Sequence, residues 1–348
     1  MRLTIATDAW RPQVNGVVRT LERMAEELPR LGVDVTMLTP AAFRTVPLPT
    51  YPDIRLALAR PKAIKAAIEA ARPDAIHIAT EGPIGFAVRR WCLAENRPFT
   101  TSYHTRFPEY VAARAPIPKS FSYAVLRRFH NAGAGCMVAT ASLAAELTRR
   151  GFRNVMSWSR GVDSALFRPR PEEPPFNAAR PVFLYVGRVA VEKNIDAFLD
   201  LDLPGSKVVV GEGPALARLK AAHPEVLFTG LLTGEALAKA YARADVFVFP
   251  SRTDTYGIVL LEALASGVPV AAYPVAGPAD VIGQSGVGVL DEDLRKAALA
   301  ALDIPRERCR AFALRHDWTA CARQFLDNIV KAQGIDRRLL VLAPVPAR

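Results

Sequence analysis

Short apolar runs, each followed by a stretch of helical periodicity, recur along the whole chain, and this alternation constrains the fold more than any other feature. LTIAT (3–7), DVTML (34–38), IRLAL (54–58), AIHIA (75–79), FTTSY (99–103) and CMVAT (136–140) form the first set. Strands this apolar suit a parallel sheet covered on both faces, and a parallel pair needs a crossover that a helix supplies. The amphipathic stretch from about Val17 to Leu31, stopped by Gly32, is one such helix. SLAAELTRRG after CMVAT is another, with Ser142 as its predicted N-cap. A proline-rich break, FRPRPEEPPFNAARP (167–181), reads as an interdomain linker. The pattern then resumes with VFLYVG (182–187), KVVVG (207–211), VLFTG (226–230), ADVFVFP (244–250) and VPVAAYP (268–274). The expected architecture is α/β: two doubly wound parallel-sheet domains, 1–168 and 182–333, joined by a linker at 169–181 and followed by a tail at 334–348. Residues 305–333 are predicted helical, with Phe312, Leu314, Trp318, Phe325, Leu326 and Ile329 apolar. The carboxyl ends of both sheets are expected to face a central cleft, where ligands bind in such folds.

Half of the 348 residues are apolar, enough for a large core, yet no run of eighteen apolar residues suits a membrane span. The opening MRLTIATDAW is broken by Asp8 and Arg11 and reads as a first buried strand rather than a signal peptide. Cys92, Cys136, Cys309 and Cys321 make no CxxC pair and no metal set with a nearby His, so free thiols in a cytoplasmic protein are expected. The net charge of +11 is uneven. Residues 1–170 carry 25 Lys+Arg against 13 Asp+Glu, whereas 171–348 carry 20 against 21. An anionic partner for the first half follows, either nucleic acid or an anionic membrane surface, unless a general bias toward Arg explains it.

SRTDTYGIVLLEALASG (251–267) carries the main chemical signal. Glu262 stands in an otherwise apolar run, and a buried carboxylate is costly unless something binds it. After the strand ADVFVFP, residues 251–256 form a loop at the ligand edge of the sheet. Gly257 allows close backbone approach, and GIVLLEALASG is a helix. Asp254, helix amides and Glu262 together suit a ligand with hydroxyls at both ends and phosphate between. The plainer alternative has Asp254 only capping the helix and Glu262 turning to solvent. A second group, YVGRVAVEKN (185–194), places Arg188 and Lys193 at another strand's carboxyl end, where two cations suit a diphosphate. There is no GxGxxG after the first strand, no GxxxxGK[ST] and no GxSxG. Dinucleotide binding, P-loop phosphoryl transfer and α/β-hydrolase chemistry lose their support.

YVGRVAVEKN, VVVGEGP and SRTDTYGIVLLEALASG, in that order and spacing, resemble the donor half of retaining glycosyltransferases of the GT-B fold, the large "glycosyl transferases group 1" family. ATDAWRPQVNGVVRTL and SYHTRFPEY also fit, and within the family they look like bacterial lipid glycosyltransferases: diacylglycerol glycosyltransferases, sulfolipid synthases and mannosyltransferases. The resemblance implies two Rossmann-like domains and a nucleotide-sugar donor. It implies that Arg188 and Lys193 hold the diphosphate and that Glu262 binds the ribose hydroxyls. Asp254 contacts donor-sugar hydroxyls where the family more often has Glu. Amides of Thr255, Tyr256, Gly257 and Ile258 complete that site, with Gly211, Glu212 and Gly213 near the nucleotide. Asn15 and Gly16 close on the diphosphate, and His104 stands near the transferred sugar or acceptor hydroxyl. His77 and His130 are left as structural or surface residues. The implied mechanism needs no nucleophilic carboxylate and no DxD-type metal site, so no cofactor is expected.

The first domain is expected to bind the acceptor. FPEYVAARAPIPKSFSYAVLRRFH (107–130) interleaves Arg114, Lys119, Arg127 and Arg128 with Phe121, Tyr123, Leu126 and Phe129. Such a stretch suits an anionic membrane surface, or is an ordinary amphipathic helix packed on the sheet. With the charge imbalance, the expectation is a peripheral protein at the inner face of the cell membrane, acting on a lipid such as diacylglycerol. A soluble or polysaccharide acceptor is the second reading. Nucleic acid is a remote third, because it leaves Arg188, Lys193, Asp254 and Glu262 unexplained.

Overall fold

The computed structural model describes residues 1–13, 15–48, 51–112, 116–170 and 177–335. The chain forms two compact units, one of Met1–Ser159 with the chain from Thr319 onward, the other of Arg160–Trp318.

The first unit holds β1 (Arg2–Ala6), α1 (Gly16–Arg30), β2 (Asp34–Leu38), β3 (Thr45–Leu48), β4 (Tyr51–Ala57), α2 (Pro61–Ala71), β5 (Ala75–Ile78), α3 (Pro83–Ala94), β6 (Thr100–Tyr103), α4 (Phe107–Ala112), α5 (Lys119–His130), β7 (Gly135–Val138), α6 (Ala141–Arg149) and β8 (Val155–Ser157). Its six-stranded sheet runs β2-β1-β5-β6-β7-β8, and every pairing is parallel. All residues of β5, β6 and β7 are buried, as strands covered on both faces must be. Residues 100–102 are polar yet tolerated there because their hydroxyls meet two buried imidazoles. Thr100 and Ser102 reach the two ring nitrogens of His77, each at 2.9 Å, and Thr101 reaches His130 at 2.9 Å. His77, left open by the sequence, is therefore a core residue.

Two local expectations change. The run at 54–58 belongs to β4, which pairs antiparallel with β3 in a separate ribbon and not with the main sheet. Only two residues separate β3 from β4, too few for a parallel crossover. The N-cap of α6 is Thr140, whose Oγ1 accepts from the Leu143 amide at 3.3 Å, whereas Ser142 lies inside the helix.

The second unit holds β9 (Val182–Val186), α7 (Asp196–Leu199), β10 (Ser206–Val210), α8 (Leu216–Ala222), β11 (Leu227–Gly230), α9 (Gly234–Ala242), β12 (Val246–Phe249), α10 (Ile258–Ala265), β13 (Val270–Ala272), α11 (Ala276–Val281), β14 (Gly288–Leu290), α12 (Leu294–Ala301) and α13 (Arg306–Ala313). Its sheet runs β11-β10-β9-β12-β13-β14, again parallel throughout.

The units divide at Ser159/Arg160, earlier than the proline-rich stretch. Residues 160–170 are already fastened to the second unit. The Val162 amide donates to His316 O at 3.0 Å, the Arg310 guanidinium donates to Ser164 O and Phe167 O, and Arg170 pairs with Glu235 at 2.5 Å. Of the expected linker, 171–176 lie outside the described residues, as do 336–348 of the expected tail. The last helix, α14 (Trp318–Gln333), returns to the first unit from Thr319 on. Phe325, wholly buried, stacks against Trp158 at 4.6 Å and His77 at 4.8 Å, and the Gln333 side chain bonds both backbone groups of Ile76.

Phe325→Ala should therefore destabilise the first unit by about 3–5 kcal/mol, the usual cost of emptying a buried aromatic site. Urea unfolding would read this as a lowered midpoint, and an unchanged midpoint would show that α14 does not close that core.

Candidate active site

In the second unit the chain winds from β9 outward to β10 and β11, then crosses to β12 on the other side of β9. The carboxyl ends of β9 and β12 therefore flank the switch point of the sheet, where doubly wound folds bind ligands. The loops from these strands are 187–194 and 250–257, and they carry the two groups of residues singled out in the sequence.

The loops are stitched together. Lys193 Nζ donates to Asp254 Oδ1 at 2.5 Å, Asn194 Nδ2 to Pro250 O at 3.1 Å and Thr253 Oγ1 to Glu192 O at 3.3 Å. The Lys193 and Asp254 side chains are only 19% and 17% exposed, so breaking the pair leaves a poorly solvated charge. Asp254 Oδ2 is buried and has no hydrogen-bond partner among the described residues. Asp254 thus does not cap α10, which has no side-chain cap. Gly257 precedes that helix at φ +84°, a left-handed conformation that glycine adopts without strain. Tyr256 is buried, while Thr255 and Ile258 are half-buried.

Gly211–Gly213 follow β10 at the same edge. Gly187 N bonds Val210 O and Val189 N bonds Glu212 O, at 3.0 and 2.8 Å. A Cβ at Gly211 would lie 1.9 Å from Gly187 O, so only glycine lets these two strand ends meet. Arg188 is half-buried beside them, and its carbonyl accepts from the Tyr185 hydroxyl at 2.9 Å. Glu212 is exposed.

Glu262 is not the solvent-facing residue of the plainer reading. It does not turn to solvent, being 3% exposed, and its Oε2 accepts from the Tyr241 hydroxyl of α9 at 3.0 Å. This buried partner makes the carboxylate tolerable in an apolar helix. Tyr241, itself fully buried, carried no signal in the sequence beyond an apolar helical position.

In the first unit the switch point lies between β1 and β5. Asn15 caps α1, with Oδ1 accepting from the Val17 and Val18 amides at 3.0 Å each, and Gly16 is the first helical residue. His104 follows β6, half-buried and edge-on to Trp158 at 5.6 Å. Two acids that the sequence did not single out stand here. Asp8, after β1, accepts from the Ile84 and Gly85 amides at the start of α3 and from the Thr80 hydroxyl. Burial pushes its carboxyl above the usual range, although those three donors pull it down. Glu81, after β5, accepts from His130 Nε2 at 2.9 Å. Burial alone would lower the His130 pKa, but Cys136 and Glu81 outweigh it and raise it to about 10. The signal for Glu81 was an acid between the strand AIHIA and a Gly-Pro helix start.

Of the membrane-facing candidates, Lys119, Phe121 and Arg128 are exposed on α5, with Phe121 at 64%. The buried face of α5 carries Tyr123, Leu126 and Phe129, so the helix does pack inward, while Phe121 and Val125 keep its outer face apolar. Arg127 donates to Arg150 O at 3.0 Å and thus braces α6. Arg114 lies outside the described residues. No helix among the described residues is long and apolar enough to cross a membrane.

Residues 14–166 match the family model "Glycosyltransferase Family 4", and residues 180–304 match "Glycosyl transferases group 1". A GDP-mannose-dependent alpha-mannosyltransferase of Mycolicibacterium smegmatis is 30% identical across 86% of this chain and 87% of its own. The sulfoquinovosyl transferase of Arabidopsis thaliana is 30% identical across 79% of this chain and 60% of its own. The alpha-monoglucosyldiacylglycerol synthase of Streptococcus pneumoniae is 28% identical across 87% and 78%. Sucrose-phosphate synthase from Thermosynechococcus elongatus superposes with a TM-score of 0.80 at 20% identity, over 96% of this chain and all of that one, and shows the shared fold. The chain belongs to the group 1 glycosyltransferases of GT-B fold, and it is a hexosyltransferase using a nucleotide sugar.

The raised His130 pKa fixes a pH dependence. The folded protein holds this proton above the unfolded value near 6.5. Its stabilising effect is complete below about pH 6.5 and lost as pH rises through about 10. Melting curves should show the wild type losing stability across that window more steeply than His130→Gln; parallel curves would mean that His130 is not charged in the fold.

Proposed function

We propose that this enzyme is a retaining transferase that moves a hexose or uronic acid from a UDP-sugar to the hydroxyl of a membrane lipid such as diacylglycerol. The observation that carries the donor assignment is the Lys193–Asp254 pair, with a buried carboxylate oxygen left for a further donor. In this reading Arg188, Lys193 and the first-turn amides of α10 take the diphosphate, and Asp254 Oδ2 accepts from a sugar hydroxyl. Glu262 serves the nucleotide end from its seat beside Tyr241, and Gly211, Glu212 and Gly213 line that end.

Charge that builds on the departing phosphate meets fixed cations and amides in a partly dehydrated edge, where such contacts are strongest. The acceptor oxygen bonds to the anomeric carbon as the bond from that carbon to phosphate breaks. The acceptor proton passes to the departing phosphate oxygen. Attack from the leaving-group face retains configuration and needs neither a protein nucleophile nor a metal. The Asn15–Gly16 turn and His104 take the roles that the family resemblance implies.

We assign acceptor binding to the first unit. The positive charge of residues 1–170 and the exposed Phe121, Val125, Lys119 and Arg128 of α5 support peripheral binding to an anionic cytoplasmic membrane face, with no role for nucleic acid. The name of the streptococcal relative, a glucosyldiacylglycerol synthase, supports a lipid acceptor. The GDP-mannose-dependent relatives favour a second reading, mannosyl transfer from GDP-mannose.

Incubating the enzyme with radiolabelled UDP- and GDP-sugars and a total lipid extract tests this directly. Organic-extractable label from one donor is expected; label confined to water-soluble material would sink the lipid assignment. Asp254→Asn should slow transfer by about a hundredfold or more, the scale of losing one group that binds reacting charge or sugar. Glu262→Gln is the cleaner probe of the nucleotide end, because it still accepts from Tyr241 while Ala would orphan that hydroxyl. Binding to phosphatidylglycerol vesicles should weaken as salt rises, and indifference to such vesicles at low salt would remove the membrane from the proposal.

A further inference from the structure

Glu81 occupies a position that the donor chemistry does not use. It follows β5, at the switch point of the first unit's sheet, between the loop of β1 and that of β6. The residues at 15, 16 and 104 lie on those two flanking connections. Ligands bind at this place in doubly wound sheets.

Its partner is His130, and the contacts around that ring suit a charge. The Thr101 hydroxyl lies 2.9 Å from His130 Nδ1 and 3.3 Å from Gly135 O. Glu81 is a carboxylate and accepts from Nε2 at 2.9 Å. The His130 side chain is 0% exposed, and a protonated ring satisfies the contacts at both of its nitrogens. The raised pKa of the ring agrees with this. Around it are the rings of Tyr103, Phe129 and Phe152 and the thiol of Cys136. A cation in such surroundings is costly, and a hydrophobic side chain of similar volume would stabilise a core better.

What the bond from His130 achieves is to fix Glu81 in place beside a second buried acid. Asp8, in the same crevice, has all its bonds committed to Thr80 and the start of α3. Glu81 does not. Its side chain is 15% exposed, and His130 is its one hydrogen-bond partner among the described residues. A carboxylate offers about four acceptor positions, so Glu81 retains capacity toward the open edge.

We propose that Glu81 is an acceptor-binding carboxylate, fixed by His130, and that it takes a free hydroxyl of a polyol or sugar headgroup. This rests on the reading of the first unit as the acceptor unit. His130 is then a positioning residue that acts through Glu81. An ion pair that only buttresses the end of α5 is the competing account.

The test uses Glu81→Gln in the full chain, with dioctanoylglycerol as the lipid probe and methyl glucoside as the soluble one. Acceptor KM, donor KM, donor hydrolysis without acceptor, and thermal midpoint are measured. The expected result is an acceptor KM raised about tenfold or more, the loss of one charge-assisted hydrogen bond, with donor KM and hydrolysis within about twofold. An unchanged acceptor KM overturns the proposal, and so does a lowered midpoint with donor and acceptor constants shifted together. Transfer to methyl glucoside but not to dioctanoylglycerol would end the lipid reading, while the glucoside KM would still decide Glu81. His130→Gln gives a second readout should Glu81→Gln fold poorly. Without the His130 Nε2 donor Glu81 is no longer held in place, and acceptor KM should rise about as far as in Glu81→Gln while kcat and donor KM stay within about twofold. An unchanged acceptor KM in that variant overturns the role given to His130.

Discussion

The carboxyl edge of the second unit's sheet depends on one contact, the bond from Lys193 to Asp254. In the proposed donor site a phosphate needs a cation and a sugar needs an acceptor, and the two residues assigned to them come from loops 61 positions apart in sequence. Bonded to each other, each holds the other at the switch point of the sheet. The flanking bonds from Asn194 and Thr253 fix the backbones on which they ride. Pre-positioned charge of this kind needs little reorganisation when a diphosphate arrives, which is the condition under which electrostatic catalysis is strongest.

The two units handle buried charge differently. In the second, Glu262 is buried as an acid with a neutral partner, the Tyr241 hydroxyl. In the first, Asp8 is held by backbone amides and a threonine, and Glu81 by an imidazolium. Helix-end amides satisfy an acid without a counter-charge.

Much of this was legible in the sequence because it is local. Strand periods, the linker's prolines, and the spacing of Arg188, Lys193, Asp254 and Glu262 are all read along the chain. What escaped depends on contacts across sequence. Nothing at Tyr241 announces a hydroxyl aimed at Glu262. Nothing near 159 announces that residues 160–170 bond to 310 and 316 rather than to the sheet they follow. The cap of α6 went to Thr140 and not Ser142 by two residues, a distance at which helix ends are poorly defined by pattern alone. The sequence read Arg127 as a membrane-facing cation, and nothing in it announced the bond to the carbonyl at 150.

The return of α14 to the first unit bears on how the chain is made. Synthesis delivers β1 to β8 first, and then the whole of the second unit, before the helix bearing Phe325 emerges. The second unit is continuous in sequence and can close while the ribosome is still at work. The first cannot: until then Trp158 and His77 face an unfilled slot. Its core is completed by contacts of high sequence separation, the kind that form slowly. The unit that begins first is therefore finished last, and a chain broken anywhere in the second unit would leave the first exposed to the cell's quality control.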